Sequence, residues 1–404
     1  MEKKQNVPAL RFQGFSGEWI SESFENLSSR VSTMDNSSAL PRVEYEDIVS
    51  GVGVLNKDIY KKSSSKTGIK FSTGDILYGK LRPYLKNWLF ATFSGIAVGD
   101  FWVLHPEKVA GNFLYCLIQS NSYQDLVNMT TGTKMPRADW AVISKAKFVV
   151  PYDLGEQEQI GKFLTNFDKN IFVCREKIQK LQQFRQAMLT KLFPREGAAE
   201  PELRFRGFSG KWRIRTLAKC AALHARIGWQ NLRKSEFLTK GDYYLITGTD
   251  FVDGQIEWRT CHYVSKLRYD QDKNIQVQNG DILVTKDGTL GKVAYVDGAD
   301  KPATLNAGVF NVKINVNDVD AKYLYQYLKG PYLMDYVNQR ATGGTIKHLN
   351  QNILVDFPVV MPSFEEQKII GDFFYRLDRY ISLQQKKLER MQRLKAALLE
   401  KLFV

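Results

Sequence analysis

The residues best able to do covalent chemistry are scattered. His105, His224, His262 and His348 stand far apart, and none has a partner at metal-ligand spacing. Cys116, Cys174, Cys220 and Cys261 form no CxxC pair, which argues against a zinc site and a disulfide framework. Cys261 and His262 adjoin in sequence, but adjacency alone is not a nucleophile–base geometry. There is no GxxxxGK[ST] loop for nucleotide phosphates and no GxGxxG opening a helix after a strand. The Asn/Asp-Pro-Pro-Tyr/Phe segment with which amino-methyltransferases hold a flipped base is also missing. The remaining chemistry is cationic and lies in loops. GKLRPYLKNW offers Lys80, Arg82 and Lys86 with Tyr84 and Trp88, and TKDGTLGK offers Lys286, Thr289 and Lys292. Two threonine-glycine segments add Lys134 and Arg137, then Lys347 and His348. Such side chains neutralise phosphates, glycine-rich turns admit a nucleic-acid backbone closely, and arginine or lysine at a base edge discriminates sequence.

These loops sit in corresponding places of a duplicated chain. LRFQGFSGEW (Leu10 to Trp19) returns as LRFRGFSGKW (Leu203 to Trp212), with eight of ten positions identical. GDIL at Gly74 to Leu77 recurs at Gly280 to Leu283, each time just before a basic loop. The threonine-glycine segments correspond, and so do the stretches led by Glu156-Gln157 and Glu366-Gln367. The offset grows from 193 at the starts to 206 at GDIL and 210 at the last stretches, so the regions between differ in length as well as sequence. Two copies of one unit imply two similar sites with different preferences.

Within each copy, apolar clusters alternate with turn signals and predict a mixed α/β region. In the first copy these are EDIVSGVGVL, GDILYG, WLFATF and DFWVLH, then a helix over Gly111 to Val127 and a closing strand KFVVP. In the second they are DYYLITGTDFVDG, GDILVT, GKVAYVDG and GVFNVKI, a helix with a bend before Pro331, and VDFPVVMP.

Each copy ends on a long helix with a heptad seam. Ile160, Leu164, Phe167, Ile171, Cys174, Ile178, Leu181, Arg185, Met188 and Leu192 alternate spacings of four and three. The second set is Ile370, Phe374, Leu377, Ile381, Gln384, Leu388, Met391, Lys395, Leu398 and Leu402. Five heptads of this pattern predict a coiled coil rather than a broad core-facing stripe. The two helices pair most economically with each other; the alternative is two separate amphipathic helices, each lying on its own domain. About 37 residues span roughly 55 Å, which overhangs such a domain. Antiparallel pairing would relate the copies by a pseudo-two-fold axis. The predicted fold is α+β, divided into 1–153, helix 154–194, 195–362 and helix 363–404.

The 404 residues carry 57 Lys and Arg against 43 Asp and Glu, a formal charge of +14, which favours a polyanionic partner. Hydrophobic residues make up 44%, as in folded proteins. No apolar run reaches the ~18–20 residues that span a bilayer, and MEKKQNVPALRF is followed by no signal-like apolar segment, so a cytoplasmic, soluble protein without membrane partners is expected.

In its landmarks and their order the chain resembles the specificity subunits of type I restriction-modification systems. The resemblance rests on the two GFSGxW starts, GDILYGKLRPYL, GDILVTKDGTLGKV, the threonine-glycine loops, and the helix starts PYDLGEQEQIGKFLTNFD and PSFEEQKIIGDFFYRLD. It implies two target-recognition domains, each reading half of a bipartite double-stranded DNA sequence, with the helices as spacer and docking platform. It also implies two modification subunits that use S-adenosylmethionine to methylate adenine N6, and restriction subunits that use ATP and Mg. No cofactor is expected in this chain, and no catalysis. Because the copies differ, the expected target is asymmetric. Two other functions stay open from the residues: a coiled-coil scaffold with non-specific DNA affinity, and an enzyme with an unrecognised site.

Overall fold

The apolar clusters between turn signals become short, largely buried strands, and the heptad stretches become two helices of 39 residues, Leu154–Leu192 and Phe364–Leu402. The computed structural model describes residues 6–61, 64–129, 135–195, 198–340 and 349–404. The chain divides into two units: 1–178 with 384–404, and 179–383. Each unit thus combines one mixed α/β region with segments of both long helices.

In the first unit, Ile76–Gly79 is buried at every position and pairs with Phe101–Pro106 and Trp88–Phe90, while Ser28–Val31 completes the sheet. A second sheet has the order Met34–Asp35, Gly68–Phe71, Gly95–Ala97, Arg42–Val43. Ile20–Ser23 pairs antiparallel with Lys147–Val150, tying the start of the copy to its closing strand. Phe24, Trp102, Phe113, Tyr123 and Phe148 fill the core, and Leu402 and Phe403 from the end of the second long helix join it. Burying each of these large apolar side chains contributes about 1.5–3 kcal/mol.

The second unit repeats the arrangement with an enlarged sheet. Ala221–Ala225, Val309–Ile314, Ile282–Thr285, Val293–Tyr295, Gln255–Ile256 and Phe251–Val252 are neighbours in that order. The Asp253-Gly254 turn joins the last two as a two-residue hairpin with φ of 52° and 82°, the left-handed pair such a loop requires. Arg213–Thr216 pairs with Pro358–Met361 as the counterpart of the first unit's short sheet. Leu189, Leu192 and Phe193 from the first long helix and Ile370 and Phe374 from the second enter the core.

One predicted helix is two. The stretch Gly111 to Val127 forms Gly111–Leu117 and Asn121–Met129. Ser120 accounts for the break: its hydroxyl donates to Leu117 O at 2.7 Å and sits 3.4 Å from the Tyr123 N–H, closing one helix and opening the next. In the second copy Gly330 separates Ala321–Lys329 from Pro331–Gln339, where the proline places the bend.

None of the seam residues is exposed. In the first unit Ile160, Leu164, Ile171, Cys174, Ile178 and Leu402 are buried, and Phe167, Leu388, Met391 and Leu398 are half-buried. In the second, Leu192, Ile370, Phe374 and Ile381 are buried, and Leu181, Met188 and Leu377 half-buried. The paired Glu-Gln at each helix start fastens three segments together. Glu156 accepts two bonds from Arg11, at 2.7 and 2.8 Å, and Gln157 accepts from the Ala110 N–H. Glu366 accepts two from Arg204, both at 2.7 Å, and Gln367 accepts from the Asp320 N–H. Both glutamates are buried, and bidentate pairing satisfies the charge that burial strips of water. The Asp of each GDIL is also structural: Asp75 accepts from the Ser72 N–H and Asp281 from the Gln278 N–H, each bracing a turn.

Candidate nucleic-acid interface

In the first unit the chain leaves Ile76–Gly79, turns through Pro83–Leu85 and re-enters the sheet at Trp88. Arg82 and Lys86 flank that turn with φ of 50° and 55°. A left-handed conformation costs a non-glycine residue about 1–2 kcal/mol, so the surrounding contacts must hold it. They do so from the segment that follows the threonine-glycine loop. The Arg82 N–H donates to Pro136 O at 2.7 Å, the Ala138 N–H donates to Lys80 O at 2.9 Å, and Leu81 and Arg137 form a bridge between them. Two regions far apart in sequence are thereby stitched into one cationic edge.

Its charges are unequal. Asp100 lies 2.7 Å from Arg137 and 3.9 Å from Lys80, partly neutralising both. Arg82 and Lys86 are exposed. Tyr45 donates to Asp100 O, and burial pushes its phenol up to about 12, so it remains a neutral brace at neutral pH. Trp88 does not belong with the loop's exposed aromatics: it is 3% accessible and starts a core strand, whereas Tyr84 is exposed.

The second unit builds the same edge with other residues. The Leu349 N–H donates to Lys286 O at 2.9 Å, matching the Ala138–Lys80 bond. The loop after Ile282–Thr285 is closed at its base: Thr285 N–H donates to Lys292 O, Gly291 N–H to Thr285 O, and Lys292 N–H to the Thr285 hydroxyl, each at 2.9 Å. The Lys286 ammonium lies 5.4 Å from the Phe310 ring centre. Thr289 is exposed within the loop and Lys292 is exposed at its base.

Of the ten candidate contact residues, Lys80, Arg82 and Arg137 thus gather on one edge, Lys86 stands at the far end of the same turn and lines a pocket with Trp88, Asp168 and Lys395, and Lys286, Thr289 and Lys292 belong to the second edge. Lys134, Lys347 and His348 lie outside the described residues. Among those described, no group of three or more His, Cys, Asp or Glu is placed to hold a metal ion, and no helix is long and apolar enough to cross a membrane. Sequence reasoning missed Asp100, whose role depends on a fold contact. It also missed two aspartates facing the breaks in the seam, Asp168 near Lys395 and Asp378 near Arg185, although both recur at the repeat offset of 210.

The family described as the type I restriction modification DNA specificity domain matches residues 50–183 and 227–393. The chain is 23% identical over 333 residues to the type I restriction enzyme MjaVIII specificity subunit of Methanocaldococcus jannaschii, covering 80% of this chain and 74% of that one. It is 27% identical over 139 residues to the EcoDI specificity subunit of Escherichia coli, covering 32% and 30%. Its fold is similar to the crystal structure of a type I restriction-modification S subunit from M. genitalium, with a TM-score of 0.68, 16% identity, and coverage of 98% and 99%. With two matched segments that together span most of its length, the chain belongs to the type I restriction-modification DNA specificity family and is a specificity subunit with two such domains.

Proposed function

We propose that this subunit reads an asymmetric, bipartite DNA sequence, one half with each basic edge, and does no catalysis itself. The division 1–153, 154–194, 195–362 and 363–404 assigns each edge to a recognition domain and each long helix to a spacer. The carrying observation is the repeated stitch: Ala138 to Lys80 and Leu349 to Lys286 build one frame, while the side chains it presents differ. A shared frame with unlike tips suits two half-sites of unlike sequence. In this account the long helices run antiparallel as a coiled coil. The direction is supported within the first unit, where Asp168 meets Lys395 and the later Cys174 meets the earlier Gln384. They would set the gap between half-sites and seat two modification subunits, which carry S-adenosylmethionine and methylate adenine. Restriction subunits with ATP and Mg would join the same cytoplasmic complex.

A scaffold with only non-specific DNA affinity would bind without sequence preference. Binding of the assembled complex to target and scrambled duplexes across a salt series separates the two. The proposal requires tighter binding to the target. It also requires that Arg82→Ala with Lys86→Ala lower the slope of log affinity against log salt by roughly two, about 0.9 per phosphate contact. Equal binding to both duplexes, or an unchanged slope, would contradict it.

A further inference from the structure

Two residues break the heptad seam with charge, Arg185 and Lys395, and they occupy the same place in the repeat. In the first unit Lys395 is buried, with its ammonium 2.5 Å from Asp168 and 2.7 Å from the side-chain oxygen of Gln119. In the second unit Arg185 pairs with Asp378 and donates to the side-chain oxygen of Gln326 at 2.9 Å. Gln326 in turn donates to Asp378 at 3.1 Å, and Lys329 adds a second cation at 2.9 Å from the same carboxylate. Asp168 and Asp378 are repeat equivalents, and Gln119 and Gln326 follow at nearly the same offset. Each unit therefore contains one glutamine from a domain helix region, one aspartate from the first half of a long helix, and one cation from the second half of the other long helix.

A buried ion pair adds little net stability over a well-packed apolar substitute, because desolvating both charges offsets their attraction. What such a pair supplies in a coiled coil is discrimination between alignments. The seam alone is permissive, since a shift of seven residues again sets apolar side chains against apolar side chains. The charges are not permissive. A one-heptad shift would set Asp168 opposite Leu402 or Leu388. In the first of these Lys395 would face Arg175, leaving buried charge unpaired or repelled.

We propose that the duplicated glutamine–aspartate–cation triads fix the alignment of the two long helices and lock each recognition domain to that alignment, making these residues determinants of the gap between the two DNA half-sites. This rests on the DNA-reading role proposed above. A one-heptad shift displaces the helices by about 10.5 Å, or about three base pairs at 3.4 Å each. Gln119, Asp168 and Lys395 are buried and act through the helix alignment, as positioning residues.

The test is long-read mapping of methylated sites in cells that make the modification subunits with each variant, the wild-type complex serving as control. If the control methylates no bipartite site, the DNA-reading role fails and the triad is not at issue. With the control positive, a variant with both triads made apolar, Gln119→Met/Asp168→Leu/Lys395→Met together with Gln326→Met/Asp378→Leu/Arg185→Met/Lys329→Met, should keep both half-sequences but methylate sites of more than one gap, the added gap differing by about three base pairs. A single wild-type gap at full methylation would overturn the proposal. Should that variant methylate nothing, the charge exchange Asp168→Lys/Lys395→Asp decides against the single reversal Lys395→Asp. Restoration of the wild-type gap by the exchange supports the triad. An exchange no better than the single reversal overturns it.

Discussion

At the residue scale, the two aspartates of the triads do the same job under different electrostatics. Burial, opposed by Lys395, holds the Asp168 carboxyl above the ordinary aspartate value. Asp378 is half-buried, and Lys329 and Arg185 together outweigh its desolvation and hold it below that value. The signs of their linkage to folding are opposite. The depressed group contributes stability that is present above the ordinary aspartate pKa, near 3.9, and is lost as pH falls through its folded value. The raised group binds its proton more tightly when folded, so its contribution weakens as pH rises from that ordinary value through its folded value. Accordingly, Asp378→Asn, which strands Arg185 and Lys329, should cost about 3–5 kcal/mol at pH 7. Asp168→Asn should cost clearly less. Denaturant unfolding of the full chain at pH 7 and below pH 4 checks both. A larger loss for Asp168→Asn, or a loss at Asp378 that persists undiminished in acid, would contradict the assignment.

At the element scale, much was legible because periodicity is a local signal. The four-three spacing marked both long helices, and Gly330-Pro331 marked the bend that the second copy makes. Ser120 breaks the corresponding helix of the first copy without glycine or proline, and was not marked. Sequence proximity to Lys86 groups Trp88 with the basic loop, whereas strand Trp88–Phe90 carries it into the core. The work of Glu156 and Glu366 could not be read locally, since their partners Arg11 and Arg204 lie 145 and 162 residues away. The loop cations are visible as residue types, but the partial neutralisation of Lys80 and Arg137 by Asp100 is not. Another through-space constraint falls on Gly161 and Gly371, repeat equivalents inside the long helices. A methyl group at Gly161 would come within 2.7 Å of the Asn112 backbone, and one at Gly371 within 2.6 Å of the Tyr323 backbone. Glycine to alanine within a helix ordinarily stabilises by roughly 0.5–1 kcal/mol. Here overpacking should dominate, so that Gly161→Ala and Gly371→Ala each destabilise by about 1–3 kcal/mol. A neutral or stabilising result in thermal unfolding would show that the helices can move away from the domains.

At the scale of the whole molecule, the two copies agree where they must build the same scaffold and differ where they face outward. The Arg–Glu clamps, the GDIL turns and the triads recur in both units. The edges do not: one presents Arg82 and Lys86 around a strained turn, the other Thr289 and Lys292 on a threonine-closed loop. Identical readers on a two-fold axis would select a palindrome, whereas unlike readers on a common frame select two unlike half-sites. The most direct test is long-read methylation mapping of cells with and without this gene, in the presence of the modification subunits. The account predicts a single gene-dependent motif of two different half-sequences separated by one fixed gap. A palindromic motif, or one continuous sequence without a gap, would contradict it.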